Sequence, residues 1–333
     1  MTFGLITIVL GGGAVIGLVS WFGVQSIGHE VLQAGWVIPL TTVLLLLQLY
    51  VSAVAWRIAV GEARPRVGRY FRIRWIREAV NSLLPVAQLG GNIVGIRMLV
   101  QRGVPGPLAG AGTTLDLTIE AVTQFLFTLA GFAVLAAVAA HSDAWAPWVT
   151  WALATMALGL AGFILAQRAG LMRIIEWLAS RLNGVFPALS VAAVRGLHQE
   201  LIRLHQDRTA LAKATGLHLL AWILGVAETW ITLTAMGRPT SLAEAFVIES
   251  LGMAARSAGF VVPGALGVQE AGFIVVCDLF AIPAETAIAL SMVKRARELL
   301  VGVPGLVLWQ WSEGRRLLQR GQATGPGVRT PRA

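Results

Sequence analysis

Charge is what this chain has least of. Only 13% of its 333 residues are Asp, Glu, Lys or Arg, against about 25% in a soluble domain, while 56% are hydrophobic and mean hydropathy is +0.73. The shortage argues against a soluble globular domain and for lipid as the solvent. Cysteine is nearly absent as well: Cys277 stands alone among Ile274, Val275, Val276 and Leu279, which excludes an intramolecular disulfide and reads as an inert buried thiol. There is no GxxxxGK[ST] phosphate loop, no His or Cys pair at metal-ligand spacing and no GxSxG elbow, so nucleotide-driven, metal-based and serine-hydrolase chemistry find no motif. No cofactor, metal or enzymatic activity is expected. The first apolar stretch lacks a basic leader and a small-residue cleavage site, and reads as a retained span.

What is present is a set of long apolar runs. A helix needs about 20 apolar residues to cross the hydrocarbon core, and six segments qualify: Thr2 to Phe22, Trp36 to Val60, Leu108 to Ala140, Trp148 to Ala166, Leu217 to Met236 and Thr286 to Trp311. Tryptophans cluster near their ends, as interfacial indoles do. The basic residues are unevenly spread. Arg57 to Arg77, Arg168 to Lys213 and Arg315 to Arg332 are rich in them, whereas Gly23 to Gly35 and His141 to Pro147 have no Lys or Arg. The positive-inside rule places both termini and the basic loops in the cytoplasm. The net charge of +9 is then accounted for by anionic inner-leaflet headgroups, and nucleic acid is not an expected partner.

The chain nearly repeats itself. An offset of 178 residues carries Pro85 to Pro263, Pro105 to Pro283, Thr113 to Ser291, Asp116 to Lys294 and Glu120 to Glu298. Two stretches between spans, Arg77 to Pro105 and Gly252 to Pro283, are too polar and too broken to cross, and each has a proline and a glycine cluster near its middle. With about ten residues on either side, at 1.5 Å per residue, each arm reaches roughly half the membrane. The expected fold is therefore an all-α integral membrane protein of about six spans in two inverted repeats, residues 1–140 and 145–311, each with a re-entrant hairpin whose tip meets the other. The alternative is that the prolines merely kink two further spans, giving eight. Residues 167–213 form an amphipathic segment that either lies on the inner leaflet or packs under the bundle, and 321–333 read as a disordered basic tail.

Charges inside spans mark candidate function. Asp116 and Glu120, with Thr113 and Gln124, share one helix face. Lys294, Arg297 and Glu298, with Ser291 and the offset Arg295, form the matching stripe in the last span. One reading is a polar pathway open to both sides. The other is register pairing, such as Lys294 with Glu298 or Arg97 with Glu120. At the hairpins, Asn81, Pro85, Gln88 and Asn92 in the first and Arg256, Pro263, Gln269 and Glu270 in the second are candidate binding groups beside half-helix N-termini, suited to an anion; Asn92 and Gln269 serve equally as caps. Glu78 and Arg256 flank the hairpin entrances, either as gate charges or as salt-bridge anchors.

The segment Arg74-Trp75-Ile76-Arg77-Glu78-Ala79-Val80-Asn81-Ser82-Leu83-Leu84-Pro85-Val86-Ala87-Gln88-Leu89-Gly90-Gly91 and its counterpart Gly259-Phe260-Val261-Val262-Pro263-Gly264-Ala265-Leu266-Gly267-Val268-Gln269-Glu270 closely resemble the flippase-like membrane domain of lysylphosphatidylglycerol synthases. Within that superfamily they are most similar to the hopanoid-biosynthesis-associated branch called HpnL. The resemblance covers most of the chain, with Ser291 to Gly305 its other specific part. It implies an inner-membrane protein that moves or delivers a lipid, with hopanoids as suggested cargo and hopanoid-pathway proteins as partners. The soluble aminoacyl-transfer domain of the synthases has no counterpart here, so lysyl transfer is not expected. A scaffold for hopanoid-modifying enzymes and an ion-coupled carrier of a small solute are the alternatives.

Overall fold

A computed structural model describes residues 16, 20, 24–61, 65–84, 90–138, 158, 191–259 and 262–323, with the backbone alone at 24, 191–194, 263 and 314–323. Among the described residues every regular element is helical. In chain order they are α1 (Val24–Gln33), a 3-10 turn (Gly35–Val37), α2 (Ile38–Val60), α3 (Val67–Leu83), α4 (Gly90–Val100), α5 (Gly106–Val138), α6 (Val191–Gln206), α7 (Arg208–Ala235), α8 (Leu242–Ala258), a second 3-10 turn (Pro263–Ala265), α9 (Val268–Asp278) and α10 (Ala284–Ala323).

Local sequence explains several boundaries. Pro39 sits in the first turn of α2, where its missing N–H is not needed, and Gly61 ends that helix at φ +72°. Ser241 and Glu244 cap the start of α8 reciprocally. Three stretches are long and apolar enough to cross a membrane: Gly35–Val60, Gly106–Val138 and Arg208–Ala235. These match three of the expected spans. A fourth, Thr286 to Trp311, lies inside the 40-residue α10, which carries too many charges to qualify by composition. Its arrangement still suits lipid: Leu299, Leu300, Val303 and Val307 are exposed, while Lys294, Arg297 and Val301 are buried. Apolar side out and charged side in is the reverse of a soluble helix. The expected spans Thr2 to Phe22 and Trp148 to Ala166, and the tail 321–333, lie almost wholly outside the described residues.

Both expected hairpins fold back. In the first, Gly91 lies against Arg77 and Asn81, and Gly95 against Arg77, so α4 runs antiparallel to α3. In the second, Gly259 meets Val268 and Gly252 meets Phe273, with Ala255 beside Gly272 between them. The chain therefore doubles back at each break, and neither segment is a kinked full span. The arms are 17 and 11 residues long in both hairpins. This corrects the sequence expectation: the first arms begin at Val67 and Leu242 rather than near Arg77 and Gly252, since Arg74 and Arg77 are neutralised by partners in the first hairpin and Ser241 with Glu244 caps the start in the second. The 178-residue offset holds in space, carrying the limits of α4, Gly90 and Val100, to those of α9, Val268 and Asp278, and the start of α5, Gly106, to that of α10, Ala284.

The helices interlock across this offset. α3 packs on α10 and α8 packs on α5, pairs the offset interchanges, while α2 packs along its own counterpart α7. The tips meet: a side chain on Gly264 would lie 3.4 Å from the Ser82 carbonyl. Lipid gives no hydrophobic drive for helices to associate, so small residues that permit close approach carry the packing. A Cβ on Gly112 would come within 2.9 Å of the Val60 backbone, and one on Gly131 within 1.9 Å of Ser250 Oγ. α6 packs through Leu197, Leu201 and Leu204 on the cluster that includes Leu108. Of the rest of the expected amphipathic segment, 167–190 falls outside the described residues and 207–213 forms the cap and first turns of α7.

Candidate functional site

The charged side chains of the spans are paired, but not as the sequence suggested. On α5, Asp116 is fully buried and holds Arg74 at 3.0 Å, Arg77 at 2.8 Å and His218 Nε2 at 3.0 Å. Glu120, one turn on, closes the set at 2.8 Å from Arg74 and 3.2 Å from Arg77. The Arg77 guanidinium also lies over the Trp56 ring at 5.3 Å. Each arginine thus bridges two carboxylates, the many-partnered geometry a buried ion pair requires.

A second cluster lies around α10. Lys294 Nζ is 2.8 Å from Glu249 and 3.5 Å from Glu228, and Thr229 donates to Glu249 at 2.5 Å. Arg297 Nε is 2.7 Å from the fully buried Glu228 without hydrogen-bond alignment. Lys294 therefore does not pair with Glu298, and Arg97 reaches Glu313 at 2.9 Å rather than Glu120. The register pairs named from the sequence are wrong in both cases, because the partners come from α3, α7 and α8, whose approach no spacing along one helix encodes.

A third network ties the second hairpin to α10. Arg295 binds both oxygens of Glu270, at 2.5 and 3.0 Å, and donates to the carbonyl of Gly264 at 3.1 Å. Glu270 accepts from Gly267 N–H at 2.8 Å, capping α9, and from Ser291 Oγ at 2.8 Å. Gln269 donates to Ser291 at 2.7 Å and accepts from Arg256, which also meets Glu298 at 2.9 Å. This order is needed at the tip, where Gly264, Ala265 and Gly267 all have positive φ, +61°, +49° and +81°. Pro263 opens that turn. In the first hairpin Asn81 Oδ1 accepts from Gly91 N–H at 2.8 Å, a cap within its own hairpin, and Asn92 is buried on α4. Pro85 and Gln88 lie outside the described residues.

Between these networks is a cavity of about 160 Å³. α2 contributes Gln48 and Ser52, α3 contributes Arg74 and Glu78, and α5 contributes Glu120. His218 and Trp222 enter from α7, Arg256 from α8, and Arg297 and Glu298 from α10. Its depth follows from the spans. The midpoint of Gly35–Val60 falls between Leu47 and Gln48, that of Gly106–Val138 at Val122, two residues past Glu120, and that of Arg208–Ala235 between Ala221 and Trp222. The cavity lies beside the midpoints of all three helices. A cavity of about 150 Å³ accommodates a benzene-sized group, so a polar headgroup fragment fits this one.

Residues 5–305 match the family described as lysylphosphatidylglycerol synthase TM region. The chain belongs to that family. No curated protein and no solved structure matches it. Membership establishes a membrane protein of a lipid-associated family, in agreement with the apolar helices.

Of the sequence-derived candidates, Glu78, Glu120, Arg256, Arg297 and Glu298 line the cavity, and Asp116, Gln269, Glu270 and Lys294 hold or extend the networks behind it. Sequence reasoning missed Gln48, Arg74, Arg77, His218, Glu228 and Glu249. Glu228 was detectable, being the only charged residue in the run Leu217 to Met236. Arg74 and Arg77 were hidden among loop arginines, and His218 looked like one of five scattered histidines.

Proposed function

We propose that this protein moves a lipid between the leaflets of a bacterial inner membrane, passing the headgroup through the mid-membrane cavity while the apolar body stays in the bilayer. The observation that carries the reading is the cavity itself: charged side chains from α3, α5, α8 and α10, with His218 from α7 and Gln48 and Ser52 from α2, face one space beside the midpoints of the three candidate spans, where such groups are costly unless used or paired. Two halves arranged in inverted fashion, with hairpin tips that touch, supply the broken backbone that alternating access around a fixed site needs. Hopanoids are the cargo suggested by the resemblance to the HpnL branch, and partners from that pathway go with it. The small volume supports a cargo whose ring system remains outside the protein. In this reading the chain is a non-catalytic transporter, its basic loops lie against anionic cytoplasmic headgroups, and both termini are cytoplasmic.

The test is reconstitution into vesicles with a fluorescent lipid in both leaflets, followed by quenching from outside. Protein-dependent loss of the protected inner-leaflet signal supports the reading. A protected fraction equal to that of empty vesicles, with correctly inserted protein, overturns it.

A further inference from the structure

His218 is the only buried histidine among the described residues, 2% exposed on α7 and within one helical turn of the midpoint of Arg208–Ala235. Its ring lines the cavity. Nε2 lies 3.0 Å from Asp116 Oδ1, while Asp116 Oδ2 accepts from Arg74 at 3.0 Å and from Arg77 at 2.8 Å. A carboxylate held by two guanidiniums only accepts, so Nε2 is the nitrogen that carries the hydrogen in the neutral ring. This fixes the tautomer and leaves Nδ1 as the basic nitrogen. Nδ1 has no hydrogen-bond partner among the described residues and is not one of their sealed-off polar atoms, so it opens on the cavity.

The charges around this ring balance only when it carries a proton. On the wall and in the two clusters behind it, six carboxylates, Glu78, Asp116, Glu120, Glu228, Glu249 and Glu298, stand with five permanent cations, Arg74, Arg77, Arg256, Lys294 and Arg297. Glu78 is the surplus, since it makes no ion pair among the described residues. Uncompensated charge inside a membrane protein is costly, and a proton on His218 supplies the missing positive one. The groups that face the ring are Asp116 and Glu120 from α5, Arg74 and Arg77 from α3, Arg256 from α8, and Arg297 and Glu298 from α10. From α2 only the uncharged Gln48 and Ser52 reach it, and the 3-10 turn at Gly35–Val37 has no titratable side chain. The arginines keep their charge and the carboxylates facing the ring are paired with them, whereas histidine is the side chain whose charge changes under physiological conditions. Exchange of a proton therefore falls to His218.

We propose that His218 is a proton-binding site and that the protein couples lipid movement to protons. This rests on the transport reading and adds its energy source. His218 takes a proton at Nδ1 from water that enters the cavity on one side and returns it to water on the other; only that N–H bond forms and breaks, and Nε2 keeps its hydrogen on Asp116 throughout. Proton and cargo share one small space, so each changes the binding of the other, and by linkage the effect is reciprocal.

Two measurements test this. In the first, the full chain with His29, His141, His198 and His205 replaced by Gln is made with isotope-labelled histidine, purified in detergent and followed by nuclear magnetic resonance from about pH 8 down to pH 5. The Nδ1 signal should pass from the unprotonated to the protonated position while Nε2 stays protonated. A ring that keeps one protonation state over this range, or Nε2 as the nitrogen that titrates, overturns the site. In the second, the native chain is placed in the vesicles of the quenching assay with and without a pH difference. The native rate should change severalfold when the difference is imposed and return when a protonophore collapses it. His218→Gln keeps a donor towards Asp116 but takes no proton, and should give one rate in all three conditions. A native rate that ignores the difference, or a variant that still follows it, overturns the coupling and leaves the transport reading standing. If His218→Gln fails to fold, the native response and the resonance titration decide. If correctly inserted native protein moves no lipid at any pH, the transport reading and the coupling fall together, and the titration still decides the proton site.

Discussion

Asp116 has three partners and no exposure, which makes it the most consequential carboxylate in the chain. Asp116→Asn would leave Arg74 and Arg77 buried with only Glu120 to share, and removing one member of a buried pair costs about 3–5 kcal/mol. The variant should melt well below the native protein in detergent or fail to accumulate. Glu298→Gln is different in kind. Glu298 and its partner Arg256 are 17% and 13% exposed at the cavity wall, so the variant should fold with little loss while transport falls, as read by the quenching assay. If Asp116→Asn melts normally, the cluster is not what holds α3 against α5. Asp116 and Glu120 stand out in the sequence, since they are the two charges of one apolar run, Leu108 to Ala140. Their partners do not, because a pairing between residues 42 apart depends on how two helices meet.

At the scale of elements, the hairpins rest on contacts that tolerate no added atom. A methyl group on Gly91 would sit 2.2 Å from the Arg77 carbonyl and 2.6 Å from Asn81 Oδ1, and the first of these is backbone. Gly91→Ala should therefore force α3 and α4 apart, break the Asn81 cap and abolish transport, whereas Gly68→Ala, where nothing lies within 4 Å, should be silent in the same assay. In the second hairpin, Arg295→Lys keeps the charge but cannot bind both oxygens of Glu270 and the Gly264 carbonyl together. Amide exchange over residues 264–267 should accelerate severalfold in that variant; unchanged protection would mean that the turn is held by its glycines alone. The sequence revealed that each hairpin exists, through Pro and Gly in the middle of hydrophobic segments. It misjudged the first arms by about ten residues, in the first hairpin because the arginines looked like loop. Only the carboxylates on α5 make those arginines tolerable in a helix.

For the whole molecule, the antiparallel hairpins have a consequence for sidedness. Cysteines placed at Gly68 and at Gly106, just past α4, both exposed, should react with an impermeant reagent from the same face. Reaction from opposite faces would mean that the segment crosses the membrane and that the antiparallel contacts do not form. The 178-residue repeat was legible from the order of prolines and charges, and it survives in the lengths and packing partners of the helices. The cavity was not legible, because its wall draws residues from six helices and depends on how they meet.

The charge on α10 also bears on how the protein is made. Lys294, Arg295 and Arg297 fall within four residues of one another, and each costs about 2.5–3.5 kcal/mol when a helix enters the bilayer alone. Their counter-ions, Glu228, Glu249 and Glu270, all belong to segments that precede α10 in the chain. During synthesis the acidic partners emerge first and are already in place when the last helix leaves the ribosome. α10 fused behind an unrelated first span should then be left outside the bilayer by the insertion machinery, while behind its own α7 to α9 it should go in. The ion pairs that line the back of the cavity thus set the order of assembly, with the final helix admitted only by those that came before it.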